Sequence, residues 1–149
     1  MTVEPRPKRF PPPEFPPRRP ALFAKTPPAI FPSILGFLGL VIALRLAFGR
    51  LGWDQGVVDL LAGLSVALWV FGAVAYGAKL ARRPGVVLED LRVRPGRSGL
   101  AARTMGGMAS ATIVTAYSVP VATGLLLASL AGHAVLAGLM VRLLLSLPP

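Results

Sequence analysis

The chain has 149 residues, 54% of them hydrophobic and only 15% charged, and its mean hydropathy is +0.65, a membrane composition rather than that of a soluble domain. It contains no cysteine, which excludes a disulfide framework and a thiolate metal site. The formal charge of +10 is gathered in connectors instead of spread over a folded surface, which argues against a nucleic-acid partner.

Met1 to about Pro28 forms a basic tail dense in proline, RFPPPEFPPRRP and then KTPP. Proline fixes φ and removes amide donors, so this segment is expected to be extended or disordered. A ligand for a groove-binding module and a solvated cytoplasmic tail near anionic lipid are its two readings. It does not read as a secretory leader, because its polar part is long and the following apolar run exceeds an h-region.

The first membrane segment is expected at about 30–48, IFPSILGFLGLVIALRLAF, long enough for a hydrocarbon core of about 30 Å. Pro32 falls in the first turn, where a missing N–H costs little. Gly39, Ala43 and Ala47 make a small-residue stripe, widened by Gly36, suited to close helix approach or to a kinked pore-lining helix. Arg45 near the far end is placed to snorkel. A short outer turn with Trp53 and Asp54 follows, and Trp53, Phe48 and Tyr117 suit an interfacial aromatic belt. The second segment is expected at about 57–80. Asp59 lies at its outer end, either favouring the helix N-terminus or binding an ion. Trp69 and Tyr76 read as packing and interface residues.

The connector from Ala81 to Gly99 is too polar for lipid. Its neighbouring Glu89 and Asp90 cannot face one another as a catalytic pair on a helix and are expected to pair with arginines. The third segment, about 100–119, is the most polar, with Thr104, Ser110, Thr112, Thr115 and Ser118. It also holds the Gly106-Gly107 pair and a small stripe of Gly107, Ala111 and Thr115. Its hydroxyls suit either backbone carbonyls or an anion in a pore. Pro120 marks an outer turn, and the fourth segment follows at about 121–147, with Ala128, Gly132, Ala134 and Gly138 as close-contact positions. His133, the single histidine, is either a hydrogen-bonded packing residue or part of a proton relay.

The fold class is therefore an all-α integral membrane chain of about four transmembrane helices behind a disordered tail. Arg6, Lys8, Arg9, Arg18, Arg19 and Lys25 precede the first segment, and Lys79, Arg82, Arg83, Arg92, Arg94, Arg97 and Arg103 surround the middle connector. By the positive-inside rule both termini are cytoplasmic. No phosphate loop, metal-ligand spacing or nucleophile with a neighbouring base is found, so no catalytic residue, metal or cofactor is expected and the chain is not read as an enzyme.

The stretches TPPAIFPSILGFLGLVIALRLAFGRLG and DLLAGLSVALWVFGAVAYGAKLARRPGVVLEDLRVRPGRSGLAARTMGGMAS resemble the N-terminal part of the tellurite-resistance/dicarboxylate transporter family, which includes the plant slow-type anion channels. The features in common are a first helix bearing proline and glycine from Pro32 to Gly39, a second ending in Tyr-x-x-Lys-Leu at Tyr76–Leu80, a basic connector and a small-residue third helix. The resemblance implies a protomer for small anions, commonly trimeric, with about ten helices of which the odd-numbered line the pore. It places Pro32, Ser33, Gly36 and Gly39 on the first helix and Gly106, Gly107 and Ser110 on the third as pore-lining or helix-packing candidates. It also implies a bacterial inner membrane. Helices beyond the fourth, including the late one whose phenylalanine occludes the family's pore, would come from a longer chain of which this is a fragment, or from a partner. The other reading is a noncatalytic membrane scaffold or accessory subunit that docks through its small-residue faces.

Overall fold

A computed structural model describes residues 26–146; the expected tail up to Lys25 and the last three residues lie outside the described part. A 3-10 turn at Pro28–Ile30 leads into α1, Phe31–Leu51, followed by α2, Gly56–Arg82, a short α3, Val86–Arg92, then α4, Arg94–Val114, and α5, Val119–Leu145. No strand occurs among the described residues.

The breaks follow local chemistry. Pro32 and Pro120 occupy first-turn positions of α1 and α5, where the lost amide would be unpaired anyway. α1 stops at Gly52, whose φ of 68° takes the left-handed cap conformation that glycine adopts without strain. The Asp54 carboxylate accepts the Gly56 N–H at 2.5 Å and turns the chain into α2. α2 ends before Pro84, which disfavours helical conformation in Arg83.

Contacts along the helices give their directions. Gly99 on α4 abuts Pro28 at the start of α1, Gly106 lies beside Leu38, and Arg45 stands over the Tyr117 ring at 5.6 Å. α4 therefore runs parallel to α1 over nearly its whole length. α2 is antiparallel to both: its start reaches Arg45 through Asp59, and its end reaches Phe31 through Tyr76. α5 descends along α4, with Ser129 opposite Gly107 and His133 opposite Thr104. Two apolar clusters hold the bundle. One, at the end where α1 begins, joins Phe31, Tyr76, Leu91, Leu100 and Ala102; the other joins Leu38, Val41, Ala62 and Ile113.

Three helices are long and apolar enough to cross a membrane: Pro28–Leu51, Gly56–Arg82 and Val119–Leu145. α5 buries only 6% of its most apolar window, and Leu60, Phe71, Val74, Leu127 and Val135 point outward. An apolar surface of this extent suits a lipid solvent.

The structure corrects several expectations. The third segment is a helix over Arg94–Val114, not about 100–119, and it is not among the three apolar spans. Pro95 near its N-terminus is a helix-start signal that the surrounding arginines mask, while Thr115 to Ser118 form the turn into α5. Pro120 lies inside α5 rather than in that turn. The connector is not merely a loop, because α3 forms there and buries Val86 and Leu91. Pro28, expected to end the tail, is buried in the bundle.

Candidate functional site

The residues singled out by sequence fall into two groups that the fold does not bring to one place. Pro32, Ser33, Gly36 and Gly39 are all exposed, and Ala43 and Ala47 continue the same side of α1. A side-chain carbon added at Gly36 or Gly39 would meet nothing within 4 Å. The small stripe expected to receive a neighbouring helix is thus bare in this chain.

Gly106, Gly107 and Ser110 are buried instead. The Trp69 ring of α2 lies against both glycines, and the Ser129 hydroxyl of α5 fills the space over Gly107. Trp69 Nε1 donates to the Arg103 carbonyl at 2.9 Å, which fixes the ring in this slot. These glycines let α2 and α5 approach α4 closely. Ser110 is fully buried and its Oγ has no partner among the described residues. Of the α4 stripe, Gly107 and Ala111 are buried while Thr115 is exposed and bonds back to the Ala111 carbonyl at 2.8 Å.

A polar cluster that no motif announced ties the connector to the start of α1 and the end of α2. The Tyr76 hydroxyl donates to Asp90 Oδ2 at 2.8 Å, and Lys79 Nζ pairs with the same oxygen at 3.4 Å. Lys79 also donates to the Thr26 carbonyl at 3.3 Å, and the Arg103 guanidinium stands 5.5 Å from the Tyr76 ring centre. Asp90 is therefore held by a lysine and a tyrosine, whereas Glu89 pairs with Arg83 at 3.3 Å as expected. The available signal was Tyr76 and Lys79 three residues apart on one helix face, with an acid in an otherwise basic connector.

At the opposite end of the bundle, Arg45 pairs with Asp59 at 3.0 Å and lies over Tyr117. Asp59 lies in the first turn of α2, as expected of a helix-end charge, and its pairing with Arg45 joins α1, α2 and the turn before α5. Trp53 is exposed at the same end and meets Phe48 edge to face at 5.1 Å. His133 Nδ1 lies 2.8 Å from Thr104 Oγ1, the hydrogen-bonded packing role that its isolation suggested. Among the described residues no group of acids and histidines has the arrangement of a metal site. The chain matches no protein-family model, and comparison with curated proteins and with solved structures gives no match.

Proposed function

We propose that the chain is a multi-pass membrane unit for the passage of small anions, with α1 and α4 as inner helices and α2 and α5 as their outer hairpin partners. The bare face of α1 carries this reading. That exposed face carries Pro32, Ser33, Gly36, Gly39, Ala43 and Ala47 interleaved with Leu40 and Leu46, and a side-chain carbon added at Gly36 or Gly39 would meet nothing within 4 Å. Small and hydroxyl residues on an exposed helix face suit the lining of a conduit or the seat of another helix. The side-by-side packing of α1 and α4 agrees with the inner pair that the tellurite-resistance and slow-type anion channel resemblance implies. On this reading α4 crosses with the other three, its small polar residues shielded from lipid by α1, α2 and α5. The conduit closes when further helices, from other copies or a partner, face α1. The basic end faces the cytoplasm of a bacterial inner membrane.

The scaffold reading draws on the same face, because a groove of about 510 Å³ beside Ala43, Leu46, Ala47, Arg50 and Leu51 offers a seat for a partner helix. Single cysteines separate the two, and the cysteine-free chain gives no background. Ser33→Cys, Gly36→Cys, Gly39→Cys and Ala43→Cys are expected to react with a membrane-impermeant thiol reagent in native membranes, more slowly when a permeant anion is present. Gly36→Leu, which has room in the fold, is expected to lower anion flux about tenfold or more by narrowing the conduit. Unreactive cysteines with unchanged flux reject the conduit. If Gly36→Leu instead releases a co-purifying protein while flux persists, the scaffold reading stands.

A further inference from the structure

At the inner end, α3, α4 and α5 enclose a groove of about 300 Å³ lined by Leu91, Leu100, Leu136 and Met140, with Arg97 at one end and His133 at the other. Its walls are almost wholly apolar, and its size is at the lower end of the ~300–1,000 Å³ typical of ligand pockets. The depth order is fixed by neighbouring contacts. His133 meets Thr104, two helical turns along α4 from Arg97, so Arg97 sits at the mouth nearest the helix ends. Arg97 Nε donates to the Leu91 carbonyl at 2.6 Å, which orients the guanidinium while its terminal amino groups have no acceptor among the described residues. Arg92 and Arg94 lie at the joint between α3 and α4, and Arg142 in the last turn of α5. Ion pairs with acids are seen at Arg45, Lys79 and Arg83, and among the described residues no acid pairs with Arg92, Arg94, Arg97 or Arg142.

An apolar trough with Arg97 at its mouth is complementary to a molecule that is anionic at one end and hydrocarbon at the other. We infer that this groove holds an anionic phospholipid of the cytoplasmic leaflet. One acyl chain lies along Leu100, Leu136 and Met140, and the phosphate meets Arg97. Arginine binds phosphate through paired N–H groups in a fixed fork, and basic pockets between helices on the cytoplasmic side are recognised lipid headgroup sites. The inference rests on membrane embedding, not on transport, and it is read without any flux measurement, so the two readings fail separately.

The test is lipid retention by the full chain, purified in mild detergent and measured by native mass spectrometry after exposure to equal amounts of phosphatidylglycerol and phosphatidylcholine. Preferential retention of phosphatidylglycerol is expected. Arg97→Gln should reduce it about fivefold, the effect of one arginine near an anionic headgroup. Ala137→Phe, at an exposed position lining the groove, should reduce it comparably by filling the trough without changing charge. Arg50→Gln at the opposite end should leave it unchanged, and excess inorganic phosphate should not compete. Equal retention of the two lipids overturns the proposal. So does full retention in Ala137→Phe, which would mean a charged annulus without a groove, or displacement by phosphate, which would mean a site for the free anion.

Discussion

Asp90 shows how much one side chain can depend on its surroundings. Glu89 beside it pairs with Arg83 at the surface, where the two side chains keep 58% and 71% of their exposure; Asp90 and Lys79 keep 16% and 14%. Exposed pairs are screened and contribute little, whereas removing one partner of a desolvated pair strands the other charge. Asp90→Asn is therefore expected to destabilise the fold by about 2 kcal/mol, since Lys79 loses its anion while Tyr76 keeps an acceptor. Tyr76→Phe removes one charge-assisted bond and leaves the ion pair, costing about 1.5 kcal/mol. Glu89→Gln should stay within about 0.5 kcal/mol of the parent. Thermal unfolding midpoints in mild detergent check the order, and a Glu89→Gln loss as large as that of Asp90→Asn would contradict it.

Among the elements, α4 is the one on which the others depend. It is the least apolar long helix, yet the most enclosed, with buried residues on several sides from Gly96 to Ile113. A buried helix needs close contact rather than lipid affinity, and glycine, alanine, serine and threonine supply it. At Gly107 an added methyl would press on the Ser129 hydroxyl and stand 2.8 Å from Trp69 Cζ2. Because Trp69 is pinned by its bond to the Arg103 carbonyl, the ring cannot retreat freely. Gly107→Ala should cost about 1–3 kcal/mol by overpacking. Gly124→Ala on α5, which meets nothing within 4 Å, should be neutral or stabilising by up to about 1 kcal/mol through helix propensity. The two variants compared by thermal unfolding isolate packing from propensity. Gly96 marks a similar approach at the joint with α3, where a side chain would strike the Asp90 backbone.

For the molecule as a whole, the parallel course of α1 and α4 places Thr26, Pro84 and Ser98 at one end and Trp53 and Ala116 at the other. If α4 crosses the bilayer with its neighbours, an impermeant maleimide should label Trp53→Cys and Ala116→Cys in intact cells. Pro84→Cys and Ser98→Cys should then react only in inverted vesicles. Labelling of Ser98→Cys and Ala116→Cys from the same side would show that α4 does not cross. The arrangement also leaves the molecule two-sided. α2 and α5 offer bulky apolar surface, α1 offers an exposed face of small residues interleaved with Leu40 and Leu46, and the groove with Arg97 at its mouth opens between α3, α4 and α5.

The sequence by itself determined the apolar runs of α1, α2 and α5, most of the breaks between them and the end at which positive charge gathers. Each depends on residues adjacent along the chain: hydrocarbon length, proline and glycine at helix ends, and the clustering of Lys and Arg. Only the tertiary structure decided which small residues are covered. Gly39 and Gly107 sit in similar stripes, but one faces open space and the other holds a tryptophan and a serine. Helices that are apolar all round carry no amphipathic signal to say which side meets a neighbour. The early start of α4 and the helix at Val86–Arg92 were hidden for a related reason. Arginines there suggest a solvated loop, while the burial of Val86, Leu91, Gly96 and Gly99 against the bundle outweighs that local polarity. The bond from Tyr76 to Asp90 likewise joins residues 14 apart, a meeting set by the turn at Pro84 and the packing of α3 on α4.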